Sequence, residues 1–356
     1  MISSETLPAG LEAFVGEQAL PSRPLHVGVV GATGNVGTMM LRVLRERGVQ
    51  IASLRAFASE RSAGRDVSCG DASATVETLE TADPAGVDVA LFSAGAQRSL
   101  DHAPRFAAAG AIVIDNSSAW RMHADVPLVV PEVNGGDVFE HRGIIANPNC
   151  STIQLVVALK PLLDAVGLTR VQVTTFQSVS GTGQAAMAEL QQQAGAVLEA
   201  QDALTEVYPH QIAFNVVPHC DSFDADGNTK EELKLMHESR KIMHAPDLQV
   251  AATCVRVPVF VSHSEAVHLQ TREPLSPDQA RELLRAAPGV IVLDDPGTNS
   301  YPTPLLATGS DDVYVGRIRR DESVENGLAM FVVADNLRKG AATNAVQILE
   351  ALRQPQ

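Results

Sequence analysis

The sequence predicts an α/β protein of two domains, a doubly wound parallel sheet followed by a mixed α+β domain. Three observations carry this expectation. Residues 25–149 alternate continuous apolar runs with amphipathic stretches, the pattern changes after residue 150, and 356 residues exceed one ordinary core. Strands that are apolar without alternation are buried on both faces, the mark of a parallel sheet covered by helices on each side.

The elements follow in order. Residues 26–30 (HVGVV) read as a buried strand, followed by a glycine-rich turn and an amphipathic helix from about 36 to 47. Residues 53–58 come at the right distance for a second parallel strand. Residues 87–93 (VDVALFS) and 111–115 (AIVID) are further apolar strands, and 99–109 is a helical pattern between them. Past the change of texture, 152–165 is a helix pattern, 170–176 alternates like a half-buried strand, and 184–202 is a helix rich in Ala and Gln. Residues 254–261, 268–272 and 313–318 suit strands of a mixed or antiparallel sheet, and a last helix covers about 340–353. The expected organisation is an N-terminal extension at 1–24 with no assigned function, a first domain at 25–149 joined by 336–356, and a second domain at 150–335.

The net charge is −15 with scattered basic residues, whereas a nucleic-acid or anionic-membrane surface needs a basic stripe. No apolar run reaches the roughly 18–20 residues that span a bilayer. The first 24 residues hold Glu5, Glu12 and Glu17 and no basic leader, unlike a secretory signal or transit peptide. The cytoplasm is therefore the expected compartment. Cys69, Cys150, Cys220 and Cys254 lie far apart with no C-x-x-C pair, which fits neither a zinc site nor a disulfide framework. No metal is expected, and the remaining question is whether one cysteine is a nucleophile.

Gly31-Ala32-Thr33-Gly34-Asn35-Val36-Gly37 follows a strand and opens a helix. Glycines there permit a tight turn and let backbone N–H groups approach a pyrophosphate at the positive end of a helix. The context points to a Rossmann-type dinucleotide site, although ordinary strand–helix turns also use glycine. The second strand runs into Ser59-Glu60-Arg61-Ser62, where an arginine among hydroxyls suits the 2′-phosphate of NADP. Glu60 argues the other way, toward NAD, and a plain solvated turn is the bland reading.

Cys150 lies in Asn147-Pro148-Asn149-Cys150-Ser151-Thr152, ahead of a long apolar helix pattern. Pro148 disfavours helix at Asn147 and Asn149 is a natural N-cap, so Cys150 falls in the first turn. There the N–H groups of the helix start can stabilise a thiolate, and can also hold an oxyanion formed by its attack on a carbonyl. A small buried hydrophobe is the competing reading. Arg256 and His263, in RVPVFVSH, can share the rim of one site: arginine as a planar fork for a carboxylate, histidine for proton traffic near neutral pH. Taken alone, a histidine in such a place is more often structural.

The motifs GATGNVG, FASERSAG, LFSAGA, DNSSAWRM, VPLVVPEVN, ANPNCSTIQ, QSVSGTG, KEELK, CVRVPVFVSHSEA and DNLRKGAATNAVQI stand in order along about 25–350. In this the chain resembles the bacterial aspartate-semialdehyde dehydrogenase family. The resemblance implies a Rossmann-type domain plus an α+β catalytic and dimerisation domain resembling that of glyceraldehyde-phosphate dehydrogenase. It implies NADPH-dependent reductive dephosphorylation of L-aspartyl 4-phosphate to the semialdehyde by way of a cysteine thioester, in lysine, threonine and methionine biosynthesis, and a homodimer. Residue by residue, it makes Cys150 the nucleophile, His263 the acid–base residue and Gln177 the group orienting substrate near the thiol. Arg256 is then the carboxylate grip and Glu231 the partner of the substrate amine. Arg121, Asn149 and Lys234 are then the phosphate contacts. For NADP it implies Gly31, Thr33, Gly34, Asn35, Val36, Gly37, Ser59, Arg61, Ser62, Ser93, Ala94, Gly95, Ser180, Gly181 and Asn336. Two alternatives stay open: an N-acetyl-glutamyl-phosphate reductase-like enzyme, and a non-enzymatic NADP-binding homologue.

Overall fold

Seven strands build the first sheet. In chain order the elements are β1 (Leu25–Val30), α1 (Asn35–Glu46), β2 (Ile51–Ala58), β3 (Asp66–Cys69), β4 (Ala72–Thr78), β5 (Val89–Phe92), α2 (Ala96–Ala108), β6 (Ile112–Asp115), α3 (Pro131–Asn134) and β7 (Ile144–Ala146). The strand order is β3-β4-β2-β1-β5-β6-β7. Every pairing is parallel except the β3–β4 hairpin. All four residues of β5 and of β6 are buried, as continuous apolar runs require of central strands covered on both faces. Met40, Val43 and Leu44 of α1 pack into the same core as Val27, Val29 and Leu91. The C-terminal helix Thr343–Ala351 adds Ala345, Val346, Ile348 and Leu349 to that core. The hairpin is an element the sequence pattern did not predict. Its strands are polar on alternate positions and too short to show as apolar runs.

The second sheet has six strands in the order β11-β12-β13-β10-β8-β9. Its elements are α4 (Cys150–Val166), β8 (Leu168–Gln177), α5 (Gln184–Leu198), α6 (Lys230–Ile242), β9 (Gln249–Arg256), β10 (His263–Thr271), α7 (Pro277–Ala286), β11 (Val290–Val292), α8 (Pro304–Ala307), β12 (Val313–Asp321) and β13 (Gly327–Ala334). Antiparallel and parallel pairings mix, with β8–β9 and β11–β12 parallel. Helix α4 is buried on nearly every side from Ser151 to Leu159, so it needs no amphipathic stripe. It packs on β10, β12 and β13, while α6 packs on β9.

This computed structural model describes residues 19–353. The expected N-terminal extension, residues 1–24, lies outside the described residues up to position 18. The chain divides into two compact units, one of residues up to Asn149 together with those from Ala341, the other Cys150–Gly340. Three elements differ in their bounds from expectation for local reasons. The stretch read as a strand over 254–261 lies earlier, because β9 ends at Arg256 and Pro258 cannot donate to a ladder. Ser262 then takes φ +76°, and β10 begins at His263 rather than near 268. Helix α5 stops at Leu198 instead of 202, and Ala200 turns the chain with φ +55°.

Candidate active site

In the second unit, α4 begins at Cys150, which places the thiol in the first turn of a buried helix. The turn Arg338–Ala342 crosses its start. A Cβ placed on Gly340 would lie 2.9 Å from Cys150 Cβ, so only a residue without a side chain fits there. Gln177 ends β8, and its side-chain amide donates to Ser151 Oγ at 3.1 Å, to Thr175 Oγ1 at 3.3 Å and to Glu231 Oε1 at 3.2 Å. The bond to Ser151 ties this amide to the residue after the thiol.

Glu231 and Lys234 sit one turn apart on α6, whose start is fixed by a capping box between Thr229 and Glu232. Lys234 Nζ donates to Glu231 Oε2 at 3.0 Å and to Asp221 Oδ2 at 2.8 Å. Burial opposes the charged form of Lys234, but Glu231 and then Asp221 outweigh it and hold the ammonium well above its ordinary range. The side chain keeps 23% exposure, so its third N–H remains able to reach an anion.

His263 opens β10 and is fully buried. The Ser178 N–H donates to its Nδ1 at 3.0 Å, so the neutral ring carries its proton on Nε2. Nε2 has no partner among the described residues. Burial, and after it the Arg256 guanidinium, pushes His263 down to about 3, with Glu231 acting in the opposite sense. Arg256 ends β9 and donates from Nη1 to the Ser178 carbonyl at 2.7 Å. Gly181 faces both: a Cβ there would lie 3.2 Å from Arg256 Nη1 and 3.3 Å from His263 Nε2. Cys150, Gln177, Glu231, Lys234, Arg256 and His263 thus belong to one unit, and Gln177 joins the surroundings of the thiol to Glu231.

Asn336 and Ser180, expected at the cofactor, are buried in a polar knot beside His263. Asn336 Oδ1 accepts from Ser262 N–H at 2.9 Å and from Ser178 Oγ at 3.1 Å, and Asn336 Nδ2 donates to Ser180 Oγ at 3.0 Å. Ser178 went unnoticed as a candidate, although it stands in the QSVSGTG motif. Gly340, in DNLRKGAAT, was equally unremarked.

The first unit gathers the glycine-loop set. Gly31 has φ +82°, and a Cβ there would run into the Ser93 carbonyl and lie 3.2 Å from the Ala94 nitrogen. At Gly37 a Cβ would run into the Gly31 carbonyl. Thr33 Oγ1 bonds Ser62 Oγ at 3.3 Å, which brings the turn after β2 to the loop. Ser62 is buried there, whereas Arg61 beside it is exposed. Gly34 caps α1 without a side chain, and Gly95 does the same for α2. An open cavity of about 340 Å³ adjoins the loop, lined in part by Thr33, Arg42, Arg45 and Asp66. Arg121 is buried and donates to the carbonyls of Asn147 at 3.0 Å and Asn116 at 2.9 Å; the first of these lies two residues before buried Asn149.

A doubly wound dinucleotide domain joined to a mixed-sheet domain with a thiol at a helix start defines the class of semialdehyde dehydrogenases. The family model for the semialdehyde dehydrogenase NAD binding domain matches residues 26–141, and that for the dimerisation domain matches 159–339. Aspartate-semialdehyde dehydrogenase of Aquifex aeolicus is 55% identical over 331 residues, covering 92% of this chain and 97% of the relative. That of Bacillus subtilis is 49% identical over 339 residues, covering 93% and 98%. The crystal structure of aspartate semialdehyde dehydrogenase II complexed with ASA from Vibrio cholerae superposes with a TM-score of 0.90 at 48% identity, covering 93% and 98%. Aspartate semialdehyde dehydrogenase with NADP from Candida albicans superposes with a TM-score of 0.73 at 27% identity, covering 93% and 99%. This chain belongs to the aspartate-semialdehyde dehydrogenase family.

Proposed function

We propose that this chain reduces L-aspartyl 4-phosphate to L-aspartate 4-semialdehyde with NADPH, releasing inorganic phosphate, through a thioester on Cys150. The observation that carries the reading is His263, a buried neutral imidazole whose Nε2–H is left open in the unit that presents the Cys150 thiol.

The glycine loop fits NADP. Gly31 and Gly37 stand where any side chain would collide with backbone, and the start of α1 has no side-chain cap to occupy the site of a pyrophosphate. Arg61, exposed at the end of the neighbouring turn, supplies a cation for a 2′-phosphate, with Ser59 beside it. Bound NADPH supplies the hydride.

The chain's own residues do the rest. The Cys150 thiolate attacks the acyl carbon, the carbon–sulfur bond forms, and the carbon–oxygen bond to phosphate breaks. The first N–H groups of α4 hold the oxyanion. After hydride addition the tetrahedral oxyanion accepts a hydrogen bond from His263 Nε2–H, and as its C–O bond becomes a carbonyl the carbon–sulfur bond breaks to return the thiolate and the aldehyde. A neutral imidazole suits this role, because it donates at Nε2 while Ser178 N–H occupies Nδ1. Arg256 grips the substrate carboxylate, Glu231 the amine, and Lys234 with Arg121 and Asn149 the phosphate. Glu231 favours a free amine over an N-acetylated one, because its carboxylate, held in place by Gln177 and Lys234, accepts from an ammonium but finds no donor charge on an amide.

The enzyme acts as a homodimer through its second unit, which matches the dimerisation-domain model. Two features support this. Phe176, Phe331 and Val255 lie on the half-exposed face of the second sheet, and Leu204, Phe214 and Val216 are exposed on the segment between α5 and α6. Its compartment is the cytoplasm, where the four cysteines, none in a disulfide, would stay reduced.

The test is spectrophotometric. Semialdehyde, phosphate and NADP with the purified protein should give a phosphate-dependent rise in reduced nicotinamide, much weaker with NAD. Cys150→Ala should abolish the rise while NADP still binds. Turnover by that variant would end the thioester reading.

A further inference from the structure

Below the candidate catalytic pair lies a second pair of polar side chains to which the proposed mechanism gives no task. Glu265 follows His263 by two residues on β10, and both are fully buried, so they share the face of the strand that α4 covers. Gln154 follows Cys150 by four residues on α4, one helical turn on, and is also fully buried. The step from thiol to amide on the helix therefore parallels the step from imidazole to carboxyl on the strand. Gln154 is the one side chain that stabilises the Glu265 carboxylate, and burial overrides it, so the carboxyl stays protonated far above its ordinary range. Neither oxygen of Glu265 and neither polar atom of the Gln154 amide meets a partner at hydrogen-bond distance. Four such atoms buried side by side would each cost on the order of 1–3 kcal/mol if left unmet.

We propose that Glu265 is a positioning residue, a carboxylic acid whose O–H donates to the Gln154 amide and so fixes the nucleophile helix against the strand that carries His263. A carboxylic acid and an amide satisfy one another reciprocally: acid O–H to amide oxygen, amide N–H to acid carbonyl. An ionised carboxylate has no proton to give, and among the described residues no cation offsets the burial of its charge, which is costly. The pair holds thiol and imidazole at the separation that thioester formation and reduction require, without touching substrate. The inference rests on the proposed roles of Cys150 and His263.

Glu265→Gln and Glu265→Leu, with Gln154→Leu and the double-leucine variant, test it. Each is compared with the unaltered protein in the semialdehyde assay. Glu265→Gln keeps an uncharged donor and is expected to retain kcat and KM within about twofold. Glu265→Leu is expected to lower kcat roughly tenfold or more with KM for the semialdehyde nearly unchanged. Gln154→Leu should match it, and the double variant should be no worse than either single one. Independently of turnover, the infrared spectrum of the protein at neutral pH should contain the carbonyl stretch of a protonated carboxylic acid that disappears in Glu265→Gln. Should Glu265→Leu not fold, Glu265→Gln and the infrared band still decide the matter. Loss of activity in Glu265→Gln, full kcat in Glu265→Leu, or absence of the band would each overturn the proposal. If the unaltered protein were inactive with the semialdehyde, the functional reading would fail, and the infrared band would still report on the pair.

Discussion

Replacing Gly340 by alanine tests how tightly the nucleophile is held. The new Cβ would stand 2.9 Å from Cys150 Cβ and 3.3 Å from its Cα. Carbon atoms in ordinary contact are about 3.5–4.0 Å apart, so the two segments must open by roughly 0.6–1.1 Å. Neither neighbour is the loose end of a side chain. One is a backbone atom of the first turn of α4 and the other is the carbon that bears the thiol, so the movement passes directly to sulfur. A displacement near 1 Å costs on the order of 100-fold in rate, or about 2.7 kcal/mol of barrier. Crowding of the fold itself should cost about 1–3 kcal/mol of stability. Steady-state kinetics with the semialdehyde, together with urea denaturation, would measure both. Gly195→Ala is the control: nothing lies within 4 Å of its Cβ, and it sits inside α5. That variant should gain up to about 1 kcal/mol of stability and leave kcat alone. A Gly340→Ala enzyme with kcat/KM within about threefold of the unaltered protein would refute the reasoning.

Three further outcomes are expected. Glu231→Gln removes a charge-assisted bond worth about 1.5–3 kcal/mol, so kcat/KM should fall roughly 10- to 100-fold, and a change under about threefold would remove Glu231 from the substrate site. His263 is held down to about 3 in the folded protein against an ordinary 6.5, so between those pH values the unfolded chain binds the extra proton. Stability should therefore fall as pH drops below about 6.5, by up to ~1.4 kcal/mol per pH unit from this group, and denaturation at about pH 7 and pH 5 should show a shallower loss in His263→Gln. Equal slopes in the two proteins would show that the imidazole is not kept neutral by burial. Thr229→Ala breaks the capping box of α6 and should cost about 1 kcal/mol in urea denaturation, with no cost if the helix start is held by packing alone.

Much of the first unit was legible because its signals are local. Apolar runs at β1, β5 and β6 and the glycine loop each lie within a few neighbouring residues, and burial on both faces leaves few other ways to pack them. The β3–β4 hairpin was not, since its alternating polar residues resemble a surface loop when read without a partner strand. In the second unit a single apolar stretch, CVRVPVFVSH, concealed the end of one strand, a turn at Ser262 and the start of another. Pro258 was the available sign. Cys150 could be placed at a helix start from Pro148 and Asn149, whereas the helix that carries Glu231 and Lys234 was not read from its own pattern. The contacts that define the site were hidden. The Ser178 N–H on His263 and Gly340 against Cys150 join positions about 85 and 190 apart, and nothing in either segment alone announces its counterpart.

The helix Thr343–Ala351 has a consequence for how the chain emerges from a ribosome. Residues 150–340 form a unit of their own, interrupting the first, whose core needs Ala345, Val346, Ile348 and Leu349 from beyond the interruption. At about 5–20 residues per second, roughly 10–40 s of synthesis separate the last strand of the first sheet from the helix that covers it. The second unit, continuous in sequence, is complete before that helix is made. During biosynthesis the N-terminal half is therefore made well before the apolar residues that complete its core, and a truncation just before Thr343 would leave that core incomplete.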